Sequence, residues 1–119
     1  MERRPSVLVV DDDPSIRLLC RVNLELDGIG VREAASVSEA RGQLDGGGLD
    51  VVLLDVHVGT ESGLDLLRDI RRDHPRLKVA LLTGSEGTDV RGSDPDAVIG
   101  KPFTLDDLRQ TVERLAADG

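Results

Sequence analysis

The chain has very few cysteine and aromatic residues. Among its 119 residues are one cysteine, Cys20, and one aromatic residue, Phe103. A single cysteine excludes an internal disulfide and a cysteine-based metal cluster. Because Cys20 lies beside Leu18 and Leu19 in a helical pattern, we expect a small core residue rather than a nucleophile. One aromatic ring also excludes the stacking platforms that bind single-stranded nucleic acid.

Long apolar runs and clustered positive charge are missing as well. No stretch approaches the roughly 20 apolar residues of a membrane span, and the first apolar run is too short for a signal peptide. The sequence therefore predicts a cytoplasmic protein with no membrane partner. The net charge is −8, from 23 acidic and 15 basic residues, so we expect no nucleic-acid binding by this domain. Excess acid suits a cation site or a basic partner.

Short apolar runs recur along the chain and predict five strands. Continuous apolar tetrads at residues 7–10, 51–54 and 79–82 are typical of strands buried on both faces of a parallel sheet. Two weaker strands are predicted at Gly30–Ala34 and at residues 97–99. The chain length fits one domain, which we assign to residues 1–119.

Amphipathic segments with recognisable start signals separate these strands. Helices are predicted after Asp13, which would act as an N-cap, after the capping box that begins at Ser36, after Gly63, and after Thr104. Residues 84–95 are rich in glycine and poor in apolar residues, which predicts a shortened or irregular fourth helix. The alternation predicts an α/β fold with a doubly wound, five-stranded parallel sheet.

Chemically versatile residues follow directly after four of the predicted strands. They are three acids, a hydroxyl and an amine: Asp11, Asp12, Asp55, Thr83 and Lys101. Taken singly, Asp55 is an ordinary turn residue and Lys101 an ordinary surface residue. In open parallel sheets, however, ligands bind at the carboxyl ends of the strands, so we expect these side chains to meet.

Such a set of side chains suits phosphoryl transfer. Neighbouring carboxylates repel one another, and Mg²⁺, which prefers oxygen ligands, relieves that repulsion. A carboxylate can attack phosphorus as a nucleophile. Mg²⁺, the Lys101 ammonium and the Thr83 hydroxyl would then each neutralise an oxygen of the transferred group.

These motifs resemble the receiver domain of two-component response regulators over essentially the whole chain. The resemblance lies in the segments LVVDDDPSIR at 8–17, VLLD at 52–55 with the later Gly63, LLTG at 81–84 and GKPF at 100–103. It implies the flavodoxin-like strand order 2-1-3-4-5. It also implies that Asp55 is the phosphoacceptor, and that Mg²⁺ is bound by Asp12, by Asp11 directly or through water, by Asp55 and by the backbone carbonyl of His57.

The resemblance also implies a biological role. A histidine kinase or phosphotransfer protein would be the phosphoryl donor, and an unknown protein would be the downstream target. The domain would catalyse its own phosphorylation and dephosphorylation, and it would not be a turnover enzyme.

Three features depart from the family pattern. Gly59 stands where proline is usual, Val98 stands where an aromatic residue is usual, and the distance from Thr83 to Lys101 is about four residues shorter, roughly one helical turn. All three lie away from the acids. We therefore expect phosphorylation to be retained, together with an output surface that does not use the common face formed by the fourth helix, fifth strand and fifth helix.

Two alternatives differ in function class. A receiver-like module that binds proteins without phosphorylation would explain the missing aromatic residue, but such modules usually lose one or more of the five site residues. A hydrolase similar to the haloacid dehalogenase class would need Asp-x-Asp after its first strand. Here the sequence Asp55-Val-His57 lies in mid-chain and lacks the second acid.

Overall fold

The central feature of the computed structural model, which describes residues 4–84, 90 and 92–118, is a five-stranded parallel sheet. Its strands lie in the order β2-β1-β3-β6-β7, which is the predicted 2-1-3-4-5 order once a separate two-stranded hairpin is set aside. The sheet strands are β1 Ser6–Val10, β2 Gly30–Ala34, β3 Val51–Asp55, β6 Lys78–Thr83 and β7 Ala97–Gly100. The hairpin consists of β4 His57–Val58 and β5 Glu61–Ser62.

Four helices in the described part of the chain cover both faces of this sheet. They are α1 Pro14–Leu26, α2 Val37–Asp45, α3 Gly63–Asp73 and α4 Leu105–Asp118. Helices α2 and α3 pack on one face, whereas α1 and α4 pack on the other. The doubly wound α/β architecture predicted from the sequence is confirmed.

The alternating direction of the side chains along the apolar tetrads explains why both faces of the sheet are buried. In β1, Leu8 and Val10 pack against α2 and α3, while Val7 and Val9 pack against α1 and α4. Successive side chains of a strand point to opposite faces, so a continuous apolar run supplies both cores. Cys20 belongs to the second core, and burial raises the pKa of its thiol to about 12.

The helices begin at the predicted capping residues. The Asp13 side chain accepts a hydrogen bond from the Ser15 N–H at 2.8 Å, and the Ser36 hydroxyl accepts one from the Glu39 N–H at 3.1 Å. The Thr104 hydroxyl accepts a hydrogen bond from the Asp107 N–H at 3.0 Å. These contacts satisfy N–H groups that have no partner within the first helical turn.

The segment between β6 and β7 is only partly described. The prediction of a shortened or irregular fourth helix falls on residues 84–95, of which 85–89 and 91 lie outside the described residues. At the far end of this segment, Arg71 donates to the Asp94 carbonyl and pairs with the Asp96 carboxylate at 2.7 Å, which ties the start of β7 to α3. Throughout the described ranges, every helix is too short or too polar to span a bilayer.

Candidate functional site

The predicted site residues lie together at the carboxyl edge of the sheet. Asp11 and Asp12 follow β1, Asp55 ends β3, Thr83 ends β6 and Lys101 follows β7. Backbone hydrogen bonds continue the sheet to this edge, since the Lys101 N–H donates to the Thr83 carbonyl at 2.7 Å. The fold therefore brings side chains that are up to 90 positions apart into direct contact.

Asp11 is the most constrained of these residues. It is 1% exposed and is the only buried charged residue in the part of the chain that the structure describes. One carboxylate oxygen accepts the Asp13 N–H at 2.9 Å, and the other accepts the Lys101 ammonium at 2.9 Å. A buried carboxylate requires such partners because desolvation disfavours its charge.

Lys101 joins the buried Asp11 to the partly buried Asp55. Its Nζ lies 2.9 Å from Asp11 Oδ2 and 3.4 Å from Asp55 Oδ2. Burial lowers the pKa of Lys101, but the hydrogen bond to Asp11 and the charges of Asp11 and Asp55 outweigh it, so the net pKa is raised. Lys101 is therefore a fixed positive charge beside the Asp55 carboxylate.

The surroundings of Asp55 disfavour its charged form. Burial is the largest influence and raises its pKa, and the negative charge of Asp11 acts in the same direction. The positive charge of Lys101 and the N–H of His57, 3.4 Å from Asp55 Oδ1, act in the opposite direction but do not cancel the rise. A carboxylate poorly stabilised by solvent has a strong tendency to bind a cation or an electrophile.

The acids offer oxygen ligands suited to a hard cation. Asp11, Asp12 and Asp55 each contribute one carboxylate oxygen, and these three atoms lie within 4.8 Å of one another. Asp12 is exposed, so a bound cation would keep access to water. Several oxygen ligands together with retained water are what Mg²⁺ requires, and the donor set fits that ion.

Thr83 and His57 stand at the border of this cluster. The Thr83 hydroxyl donates to the carbonyl of Gly84 at 3.1 Å rather than to the acids. The His57 side chain is exposed, and its residue begins β4 two positions after Asp55. The structure thus brings Asp11, Asp12, Asp55 and Lys101 into one cluster, with Thr83 at the end of the adjacent strand.

The hairpin after Asp55 has a turn that accounts for one departure from the family pattern. Val58 pairs with Glu61 across a two-residue turn that begins at Gly59. Gly59 has a φ of +62°, which glycine adopts freely and proline cannot adopt. The strands have two residues each and show no hydrophobic period, so this hairpin could not be predicted from the sequence.

Gly63 has a role that sequence reasoning missed. It begins α3, and its N–H donates to the Val56 carbonyl at 2.7 Å. A Cβ added at Gly63 would lie 2.0 Å from the carbonyl oxygen of Asp55. Only glycine allows α3 to start this close to the main chain of Asp55. The one sequence signal was a glycine at the start of an otherwise good helix.

Comparisons with known proteins agree on one family. A family model described as the response regulator receiver domain matches residues 7–113. The response regulator protein PilR of Pseudomonas aeruginosa is 36% identical over 113 residues, which cover 92% of this chain and 25% of PilR. The chain therefore spans about a quarter of the length of that curated relative.

Solved structures show the same fold. The receiver domain of NtrX from Brucella abortus has a TM-score of 0.88 and 28% identity, and the match covers 95% of this chain and 99% of that one. The response regulator protein TrrA from Thermotoga maritima, solved in complex with Mg²⁺-BeF, has a TM-score of 0.85 and 32% identity. That match covers 93% of this chain and 98% of TrrA.

Proposed function

This chain belongs to the response regulator receiver domain family, and we propose that it accepts a phosphoryl group on the carboxylate of Asp55 in a Mg²⁺-dependent reaction. One observation carries the proposal. Lys101 lies between Asp11 and Asp55, at 2.9 and 3.4 Å, beside a cluster of three carboxylates. This arrangement provides both a nucleophile and a fixed positive charge for the transferred group.

In the proposed reaction, a phosphoryl group moves from an oxygen or nitrogen atom of the donor to a carboxylate oxygen of Asp55. A carboxylate oxygen of Asp55 forms a bond to phosphorus while the bond from phosphorus to the donor atom breaks, and the donor atom keeps the electron pair. The Lys101 ammonium neutralises one phosphoryl oxygen. The Thr83 hydroxyl, one strand away, donates a hydrogen bond to another. The resulting acyl phosphate is the signalling form of the domain.

Mg²⁺ completes the charge balance of this proposal. Asp11, Asp12, Asp55 and the backbone carbonyl of His57 would hold it, and it would supply positive charge to the phosphoryl oxygens. The fit of the three carboxylate oxygens to a hard cation supports this assignment. The complex of TrrA with Mg²⁺-BeF supports it as well.

The proposed donor is a histidine kinase or a phosphotransfer protein, and the downstream target is a further protein. Such a donor must contact the rim of the site to reach Asp55. Helix α1 begins at this rim and exposes three apolar side chains spaced one turn apart: Leu18, Val22 and Leu26. We propose this apolar stripe as part of the surface that receives the donor.

Two further parts of the proposal concern the domain as a whole. It is a signalling domain, and we propose that it catalyses its own phosphorylation and dephosphorylation without turning over an external substrate. The cytoplasmic location expected from the sequence and the assignment of residues 1–119 to one receiver domain stay predictions.

Intact-protein mass spectrometry tests the reaction directly. The wild type is incubated with acetyl phosphate or phosphoramidate, once with Mg²⁺ and once with EDTA, and Asp55→Asn is treated in parallel. We expect one phosphoryl adduct that requires both Mg²⁺ and Asp55. Asp65→Asn is the matched control, because Asp65 is an exposed acid on α3, and it should form the adduct as the wild type does.

Two results would contradict the proposal. An adduct that persists in Asp55→Asn would place the acceptor elsewhere. A folded wild type that forms no adduct would favour the phosphorylation-independent protein-binding module.

A further inference from the structure

Arg17 lies outside the acid cluster but contacts its main chain. Its guanidinium Nη1 donates to the carbonyl oxygen of Asp11 at 2.7 Å, and its Nε pairs with Glu33 Oε1 at 3.2 Å. The Arg17 side chain is only 17% exposed. Because Glu33 lies in β2, this guanidinium connects the edge strand to the first residue of the acid pair.

The contact acts on the peptide group that leads into Asp12. The Asp11 N–H donates to the Ala34 carbonyl at 3.1 Å, and the Asp11 carbonyl accepts from Arg17, so the main chain is held on both sides. The Asp12 carboxylate is exposed. Its position therefore depends on the orientation of the peptide group between Asp11 and Asp12, whose carbonyl oxygen accepts the hydrogen bond from Arg17.

Glu33 in turn fixes the guanidinium. Its second carboxylate oxygen pairs with Arg21, one helical turn beyond Arg17 on α1. A planar guanidinium donates in fixed directions, so a group that serves Glu33 and Asp11 together has one orientation. The chain of contacts runs from Glu33 through Arg17 to the carbonyl of Asp11.

We infer that Arg17 is a positioning residue for the Mg²⁺ site: it orients the Asp11–Asp12 peptide group, with Glu33 as its anchor. This inference rests on the proposed function, since it concerns the cation that the three carboxylates would bind. Some residues contact the metal ligands without binding the metal themselves. Their replacement typically lowers metal affinity by about 10- to 100-fold.

Positioning and simple charge predict opposite results, which makes the inference testable. Arg17 carries a positive charge, so Coulomb repulsion alone predicts that its removal strengthens Mg²⁺ binding. Loss of the contact with Asp11 predicts that its removal weakens binding. Arg21 is the matched control, because it has the same charge and the same partner, Glu33, but its described contact does not extend to Asp11.

The experiment is a calorimetric titration with MgCl₂ of the wild type, Arg17→Gln and Arg21→Gln. Urea unfolding without Mg²⁺ is measured for each protein to confirm that all three are folded. We expect the dissociation constant for Mg²⁺ to rise about tenfold or more in Arg17→Gln. In Arg21→Gln, which loses only a partly exposed ion pair, it should stay within about twofold of the wild type.

Each other outcome has a defined meaning. Arg17→Gln that binds Mg²⁺ as tightly as the wild type, or more tightly, would overturn the positioning role while leaving the proposed function intact. A wild type that binds no Mg²⁺ would overturn the proposed function and this inference with it.

A second variant, Arg17→Lys, keeps the inference testable if Arg17→Gln does not fold. Arg17→Lys keeps the charge, but one ammonium group cannot reproduce the planar bridge to both Glu33 and Asp11. We expect Arg17→Lys to weaken Mg²⁺ binding as well. Unchanged affinity in Arg17→Lys would show that the fixed orientation is not needed and would overturn the inference.

Discussion

At the scale of single residues, the surroundings of Asp55 disfavour the charge of its carboxylate. Asp55 ends a strand whose other residues are fully buried, and its carboxylate lies near that of Asp11. Burial and the charge of Asp11 raise its pKa despite the presence of Lys101. The folded protein therefore keeps a carboxyl group whose charged form is less favoured than it is in water, which is a common feature of functional sites.

The raised pKa of Asp55 predicts that Asp55→Asn stabilises the protein. Because the folded-state pKa of Asp55 lies above its ordinary value, the stability that this carboxyl contributes is present at low pH and is lost as the pH rises through the folded-state pKa. In EDTA at pH 7, Asp55→Asn should raise the free energy of unfolding by a typical single-site amount, on the order of 1 kcal/mol. Urea unfolding measures this difference.

The pH dependence of this stability gain tests whether the charge of Asp55 causes it. The advantage of Asp55→Asn should shrink as the pH falls toward the ordinary value of 3.8, because the wild-type carboxyl of the folded protein becomes protonated above that value. Asp65→Asn, on the exposed face of α3, should show no such gain. An advantage that stays constant between pH 7 and pH 4 would attribute the effect to something other than the charge of Asp55.

At the scale of elements, one tight junction positions Asp55. Strand β3 ends at Asp55, a short hairpin follows, and α3 begins at Gly63 against the carbonyl of Asp55. The Val56 N–H also donates to the Leu82 carbonyl at 3.2 Å, which ties the junction to β6. The position of the Asp55 main chain is therefore set by its strand and by the start of the next helix.

Gly63→Ala should disturb both stability and phosphorylation. Its Cβ would lie 2.0 Å from the Asp55 carbonyl oxygen, so the main chain must move. We expect a loss of about 1–3 kcal/mol in the free energy of unfolding, the usual cost of overpacking, and slower formation of the phosphoryl adduct. Urea unfolding and the time course of intact mass measure these effects.

Gly42→Ala provides the matched control. Gly42 lies inside α2, and a Cβ added there would have no atom within 4 Å. This change should stabilise the protein by roughly 0.5–1 kcal/mol because alanine favours the helix. A Gly63→Ala protein with wild-type stability and wild-type adduct formation would show that the junction is not under steric constraint.

At the scale of the whole molecule, the parallel sheet gathers charge at one edge. Each strand ends at this edge, so every crossover returns the chain to the opposite edge before the next strand begins. Three carboxylates and one ammonium group thereby meet in a protein whose net charge is −8. Both the local cluster and the overall charge favour a bound cation.

Mg²⁺ should therefore raise the global stability of the fold. A ligand that binds only the folded state adds about 2.7 kcal/mol when present at 100 times its dissociation constant. We expect Mg²⁺ to raise the free energy of unfolding of the wild type and to have much less effect on Asp12→Asn. Without Mg²⁺ the two proteins should be nearly equally stable, because Asp12 is exposed.

Asp13→Asn is the control that distinguishes the effect of the acid pair from that of the helix cap. Asp13 caps α1, and asparagine caps helices equally well, so this variant should keep the full gain from Mg²⁺. Equal gains from Mg²⁺ in the wild type and in Asp12→Asn would show that the cation binds elsewhere.

The sequence by itself determined the five strands of the sheet, the four described helices and their order, but not the hairpin of β4 and β5. Apolar tetrads such as residues 51–54 predict strands buried on both faces, and capping residues such as Asp13 and Ser36 predict where helices begin. These signals are local, since periodicity and capping depend on neighbours within a few positions. For the same reason they placed Asp55 and Lys101 at strand ends without giving the distance between them.

The tertiary structure decided which groups touch. The sharing of Lys101 between Asp11 and Asp55, the approach of Gly63 to the Asp55 carbonyl and the bridge from Glu33 through Arg17 join residues on different elements. No local pattern encodes such contacts, because they depend on how strands and helices pack in three dimensions. The sequence determined the parts of the site, and packing determined their distances, their charge balance and the residues that hold them in place.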